Sequence, residues 1–78
     1  MGGDGGARQD AAIAQTVSRR LGEHGSLDAR GVDVQVKNGH VTLRGHVADE
    51  AARHVAELIA DAAPGVRSVL NRLETGGG

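Results

Sequence analysis

A sixteen-residue run from Val32 to Val47 leaves this chain little freedom in how it can fold. Val32, Val34 and Val36 alternate with Asp33, Gln35 and Lys37. After Asn38-Gly39 the alternation resumes, with Val41, Leu43 and Val47 set against His40, Thr42, Arg44 and His46. Period-two alternation sends the apolar set to one face of a strand and the polar set to the other. Asn-Gly between two such runs predicts a β-hairpin closed by a type I′ turn, whose two central residues both need positive φ. A two-residue turn also fixes the register. It sets Lys37 against His40, Val36 against Val41, Gln35 against Thr42, Val34 against Leu43 and Asp33 against Arg44. Each pair is then apolar with apolar or polar with polar, and one joins opposite charges.

What packs on the valine face must be aliphatic. The 78 residues contain no Phe, Tyr, Trp or Cys, so the core draws on nine Val, six Leu, two Ile and several Ala. One small domain follows, near the size at which a chain stabilises itself without disulfides or metals. Net charge is −1, from nine basic and ten acidic residues. Nucleic-acid binders draw affinity from phosphate neutralisation and aromatic stacking, and this composition supplies neither. No apolar run nears the roughly 18–20 residues that cross a bilayer. The start, Met1-Gly-Gly-Asp-Gly-Gly, lacks the basic and apolar regions of a signal peptide. Two settings stay open, a cytoplasmic protein or a processed piece of an exported one.

Seven of the thirteen glycines lie at the ends. Ordering glycine tracts is entropically costly, so residues 1–8 and 76–78 are expected as flexible tails around a domain at 9–75. Asp10 is placed to N-cap a first helix, with Ile13, Val17 and Leu21 at i, i+4 and i+8 and a stop at Gly22 and Gly25. Leu27 is expected beneath the hairpin. Asp49 N-caps a second helix, with Glu50 in its first turn, an apolar stripe of Ala51, Val55, Leu58, Ile59 and Ala62, and an Arg53–Glu57 pair on the exposed side. Pro64-Gly65 ends that helix, and residues 66–73 read as a third strand with Val69 and Leu73 inward. The order αββαβ gives an α+β fold: two helices packed on one face of a three-stranded mixed sheet, the other face polar and wet.

Asp10, Ile13, Val17 and Leu21, then the hairpin from Val32 through Asn38-Gly39, Val41, Leu43 and Gly45 to Val47, then Ala52, Ala56, Ile59 and Ala60, then Pro64-Gly65-Val66, Val69, Asn71 and Leu73 together resemble the BON domain. That family is named for bacterial osmotic-shock and nodulation proteins. The resemblance implies an αββαβ fold, a periplasmic or envelope setting, and noncatalytic attachment to phospholipid membranes linked to osmotic stress. It also implies flanking domains in a longer chain, since such domains often occur in tandem. The chain departs from the pattern in two respects, a single copy without an export signal, and Thr75 where the last strand often continues apolar.

Several positions answer to the backbone. Asn38 and Gly39 make the tight turn, Gly45 lies opposite Val32 where a missing Cβ lets a helix come close, and Pro64-Gly65 turns the chain from helix to strand. Four histidines, His24, His40, His46 and His54, raise a metal site. His40 and His46 share one strand face roughly 20 Å apart, too far for ligand bonds of about 2 Å. They read as solvated side chains, and no metal or cofactor is expected. Ser18, Ser26 and Ser68 have no histidine at catalytic spacing, and no carboxylate pair stands in an apolar surround, so no enzyme is expected. Gly22-Glu-His-Gly25 has the spacing of a nucleotide-clamping loop, but Glu23 would repel phosphate. The polar sheet face offers Lys37 and Arg44, and Arg19, Arg20, Arg67 and Arg72 are further candidate contacts, each worth about 1 kcal/mol at an anionic lipid surface. The expected partner is therefore an anionic phospholipid membrane, with another protein domain docking on the polar sheet face or the helices as the alternative.

Overall fold

Both residues of the predicted turn adopt the required backbone, Asn38 at φ 54° and Gly39 at φ 82°. The computed structural model describes residues 2–24 and 31–75, with side chains from residue 8 onward. Around the turn, β1 (Val32–Lys37) and β2 (His40–His46) pair antiparallel in the expected register, from Lys37 with His40 to Asp33 with Arg44 and Val32 with Gly45. A helix α2 (Glu50–Ala62) then carries the chain to β3 (Ser68–Glu74), which lies parallel to β2. The sheet order is β1-β2-β3. Together with α1 (Gly2–Glu23) this is the expected α+β arrangement. The third strand starts at Ser68 rather than Val66, because the Val66 and Arg67 amides bond back to Ala63 and Gly39.

The inner face of the sheet and the helices share one core. Ile13, Val17 and Leu21 of α1 are buried with Val41, Leu43, Val47 and Leu73. Val32, Val34, Val36 and Val69 pack half-buried against them. The second helix meets this core through a different stripe from the one expected. Ala52, Ala56 and Ala60 are buried and Val55 and Ile59 flank them, whereas Ala51, Leu58 and Ala62 are exposed. Large side chains on α1 and the sheet already occupy the shared layer, so α2 closes on it with methyl groups.

The helix ends show which caps form. Asp49 is extended and accepts the Ala52 N–H at 2.9 Å, as an N-cap does. The second helix ends before Pro64, and Gly65 takes φ 88°. Asp10 is not a cap. The first helix runs from Gly2, so the backbone of residues 2–8, assigned above to a tail, is helical. Ala7, Arg8 and Gln9 are good helix formers, and elongation adds a hydrogen bond for each residue fixed. That helix also passes through Gly22 to Glu23. Gly25, Leu27 and the tail at 76–78 lie outside the described residues.

Two further expectations are corrected. Gly45, at φ 123°, does make room, but for the Gly31 carbonyl rather than a helix: a Cβ at Gly45 would lie 1.9 Å from that oxygen. Arg53 does not pair with Glu57. Its guanidinium reaches the free edge of β3, with Nε donating to the Leu73 carbonyl at 3.0 Å and Nη2 to the Asn71 carbonyl at 3.4 Å, while Nη1 lies 3.7 Å from Glu50. Glu57 instead accepts from the Asn71 side-chain amide at 3.2 Å.

Candidate functional site

Alternation along three paired strands produces a two-dimensional array on the outer face of the sheet. The two registers define its rows: Lys37, His40 and Ser68; Gln35, Thr42 and Leu70; Asp33, Arg44 and Arg72; then His46 and Glu74. The same alternation that buries Val41 and Leu43 turns His40, Arg44 and His46 outward. On β3 it exposes Ser68, Leu70, Arg72 and Glu74.

Side-chain contacts tie up the two ends of the array. At one end His40 Nδ1 and Ser68 Oγ share a hydrogen bond of 2.6 Å. At the other, His46 Nε2 lies 3.3 Å from Glu74 Oε1, with both side chains about three-quarters exposed. Pairs this exposed are worth little to stability. The centre differs. Arg44 and Arg72 sit side by side on adjacent strands, about 4.8 Å apart at the backbone, and like charges so placed repel. Among the described residues neither guanidinium has an ion-pair partner. Both line a depression that also includes His46 and Glu74. In the next row Leu70 is 54% exposed, one of two large apolar side chains so placed among the described residues. A second depression, lined by Gln35, Lys37, His40 and Thr42, lies on the Lys37 side of that row.

The six candidate cations therefore do not form one site. Lys37, Arg44 and Arg72 share the outer sheet face. Arg19 and Arg20 are exposed on α1, in the helical layer across the core from that face. Arg67 belongs to the hairpin turn: its N–H donates to the Gly39 carbonyl at 2.8 Å, and its side chain lines a hollow with Gln9, Asp10 and Gly65. Among the described residues no polar or charged side chain is buried, and no three His, Cys, Asp or Glu converge on a point that could hold a metal. Chemically, the outer face can present two adjacent guanidinium groups with Asp33 in their row, an ammonium two rows away and one apolar side chain between, to something that lies flat against it.

Sequence reasoning missed the roles of three residues that shape this region. Leu70 carries an apolar signal at an outward position, visible in the alternation of β3. Asn71 occupies an inward position between Val69 and Leu73, and its amide donates to the Arg53 carbonyl at 3.0 Å while its Oδ1 accepts the Leu73 N–H at 3.1 Å. Asp10, far from the hairpin in sequence, holds the turn amides, and nothing local signals it. Among the described residues, no helix is long and apolar enough to cross a membrane. The family model described as BON domain matches residues 9–77, all but the first eight residues and the last. No curated protein matches the chain.

Proposed function

The chain belongs to the BON domain family, a family of binding modules, and on that premise we propose that it attaches to anionic phospholipid at the bacterial envelope through the outer face of its sheet. The observation that carries this reading is the unpaired adjacency of Arg44 and Arg72. Two guanidinium groups that repel each other in the free protein gain by sharing an anionic oxygen, and phosphate geometry suits guanidinium donors. Lys37 adds a third cation, and Leu70 gives the face an apolar contact beside them. Arg19, Arg20 and Arg67 have no part in this contact. A periplasmic role under osmotic stress is the physiological setting this reading implies.

Electrostatics limits the strength. Asp33 and Glu74 share the face with the three cations, and each cation contributes about 1 kcal/mol near an anionic leaflet. Binding by one copy is weak and strongly salt-dependent. Flotation with vesicles of phosphatidylglycerol and phosphatidylethanolamine at low ionic strength tests it. The expected result is co-flotation that disappears at high salt and in Arg44→Glu/Arg72→Glu, but survives in Arg19→Glu/Arg20→Glu. No co-flotation at low salt overturns the lipid reading. A protein domain docking on the same face is then the second reading, favoured by the exposure of Leu70.

A further inference from the structure

The two borders of the sheet are treated differently. Even-numbered β3 residues bond β2, as the Val47 N–H bonding the Glu74 carbonyl at 2.9 Å illustrates, so Asn71 and Leu73 turn their backbone groups outward. Arg53 and the Asn71 side chain occupy three of those outward groups. Among the described residues, the β1 border is open. A two-residue turn makes Lys37 and His40 the hydrogen-bonded pair that closes the hairpin, so Val32, Val34 and Val36 point their N–H and C=O away from β2. Among the described residues, nothing bonds to them.

We propose that this border pairs with the same border of a second copy of the chain, antiparallel, with Gln35 opposite Gln35 on the two-fold axis. The charge pattern of Val32–Lys37 selects this register. Centring on Gln35 sets Asp33 of each copy against Lys37 of the other, twice over, on the outer face. It sets Val34 against Val36 on the inner face, as two hydrogen-bonded pairs. Neither Asp33 nor Lys37 has an ion-pair partner among the described residues. Sliding by two residues sets Asp33 or Lys37 against glutamine and loses both charge pairs. Sliding by one sets valine against polar residues. Parallel pairing sets Asp33 beside Asp33 and Lys37 beside Lys37. Only the two-fold antiparallel register is complementary throughout, as an isologous contact must be. One strand per copy is a small interface, so association in the micromolar to millimolar range is expected. It would place two copies of the Arg44–Arg72 array on one continuous sheet.

Cross-linking tests the register without lipid. The chain has no cysteine, and Gln35 would face its own copy in a non-hydrogen-bonded pair, with Cα atoms about 4.5 Å apart and within disulfide reach. Gln35→Cys is expected to form a covalent dimer under mild oxidation. Asp33→Cys and Lys37→Cys are each expected to stay monomeric alone but to link when mixed. Sedimentation equilibrium of Asp33→Lys or Lys37→Asp should show dissociation about tenfold easier than wild type, with the double swap Asp33→Lys/Lys37→Asp restoring it. All three positions are exposed, and far-UV circular dichroism verifies that each variant folds. A wild-type chain monomeric to about 1 mM, a Gln35→Cys chain that does not link, equal linking at all three positions, or a double swap that fails to restore association overturns the proposal. Each of these outcomes leaves the vesicle assay of the monomer to stand or fall by itself.

Discussion

The carboxylate of Asp10, in the interior of α1, accepts the N–H of Gly39 at 3.0 Å through Oδ1 and that of Asn38 at 2.8 Å through Oδ2. Both amides belong to the two-residue turn and face away from the strand ladder, so without Asp10 they would rely on water. The first helix is thereby fastened to the tip of the hairpin, and the packing of Ile13 and Val17 beneath it is held in place. Charged acceptors make the stronger hydrogen bonds. Asp10→Ala should lower unfolding free energy in urea by about 1–3 kcal/mol, and Asp10→Asn by less, since one oxygen remains to accept.

Glycine is demanded unequally at Gly39 and Gly45, two of the positions with positive φ. At Gly39 an added Cβ would meet the flexible Arg67 side chain at 3.0 Å and the Gly65 carbonyl at 3.1 Å. At Gly45 it would meet the Gly31 carbonyl at 1.9 Å, which only backbone movement relieves. Gly39→Ala should cost about 1–2 kcal/mol, within the usual range for a strained backbone, and Gly45→Ala distinctly more. Thermal unfolding followed by far-UV circular dichroism should rank them in that order.

Side-chain size on α2 should matter in the reverse of the usual sense. Leu58 is 54% exposed while Ala56 is fully buried. Leu58→Ala should change stability by no more than about 0.5 kcal/mol. Ala56→Leu adds three carbons where the helix touches the core, and should cost about 1–3 kcal/mol or more. Paired urea titrations of the two variants measure this.

These contrasts also mark where sequence reasoning stops. The hairpin register was fully legible, because Asn38-Gly39 determines it through covalent geometry alone. The mixed sheet read from the order αββαβ also holds, with β3 parallel to β2. The face of α2 was not legible, since its residues spell two overlapping stripes about 100° apart. The spacing between layers, which α1 and the sheet set, chooses the alanine one. Asp10 has the residue type and position of an N-cap, and only its distance to a turn 28 residues away reveals the other use. The outward cations of the sheet could be read from alternation, but the neighbouring of Arg44 and Arg72 needed the β2–β3 register.

Asn71 joins α2 to β3 through two hydrogen bonds, from its amide to the Arg53 carbonyl and to Glu57, and its Oδ1 accepts the Leu73 N–H within β3. Asn71→Leu keeps the branched shape, in a somewhat larger side chain, but removes all three, leaving a part-buried donor and acceptor unmatched. A loss of about 1–3 kcal/mol is expected, with faster hydrogen exchange at the Leu73 amide as the local readout.

Arg53 has a consequence for growth. Fibrils of the cross-β kind lengthen because every added strand exposes a fresh template for the next. Here a guanidinium already occupies the Asn71 and Leu73 carbonyls of the last strand, so a newcomer finds the ladder interrupted there. The edge-to-edge pairing proposed above would in this way close on two copies without seeding a polymer.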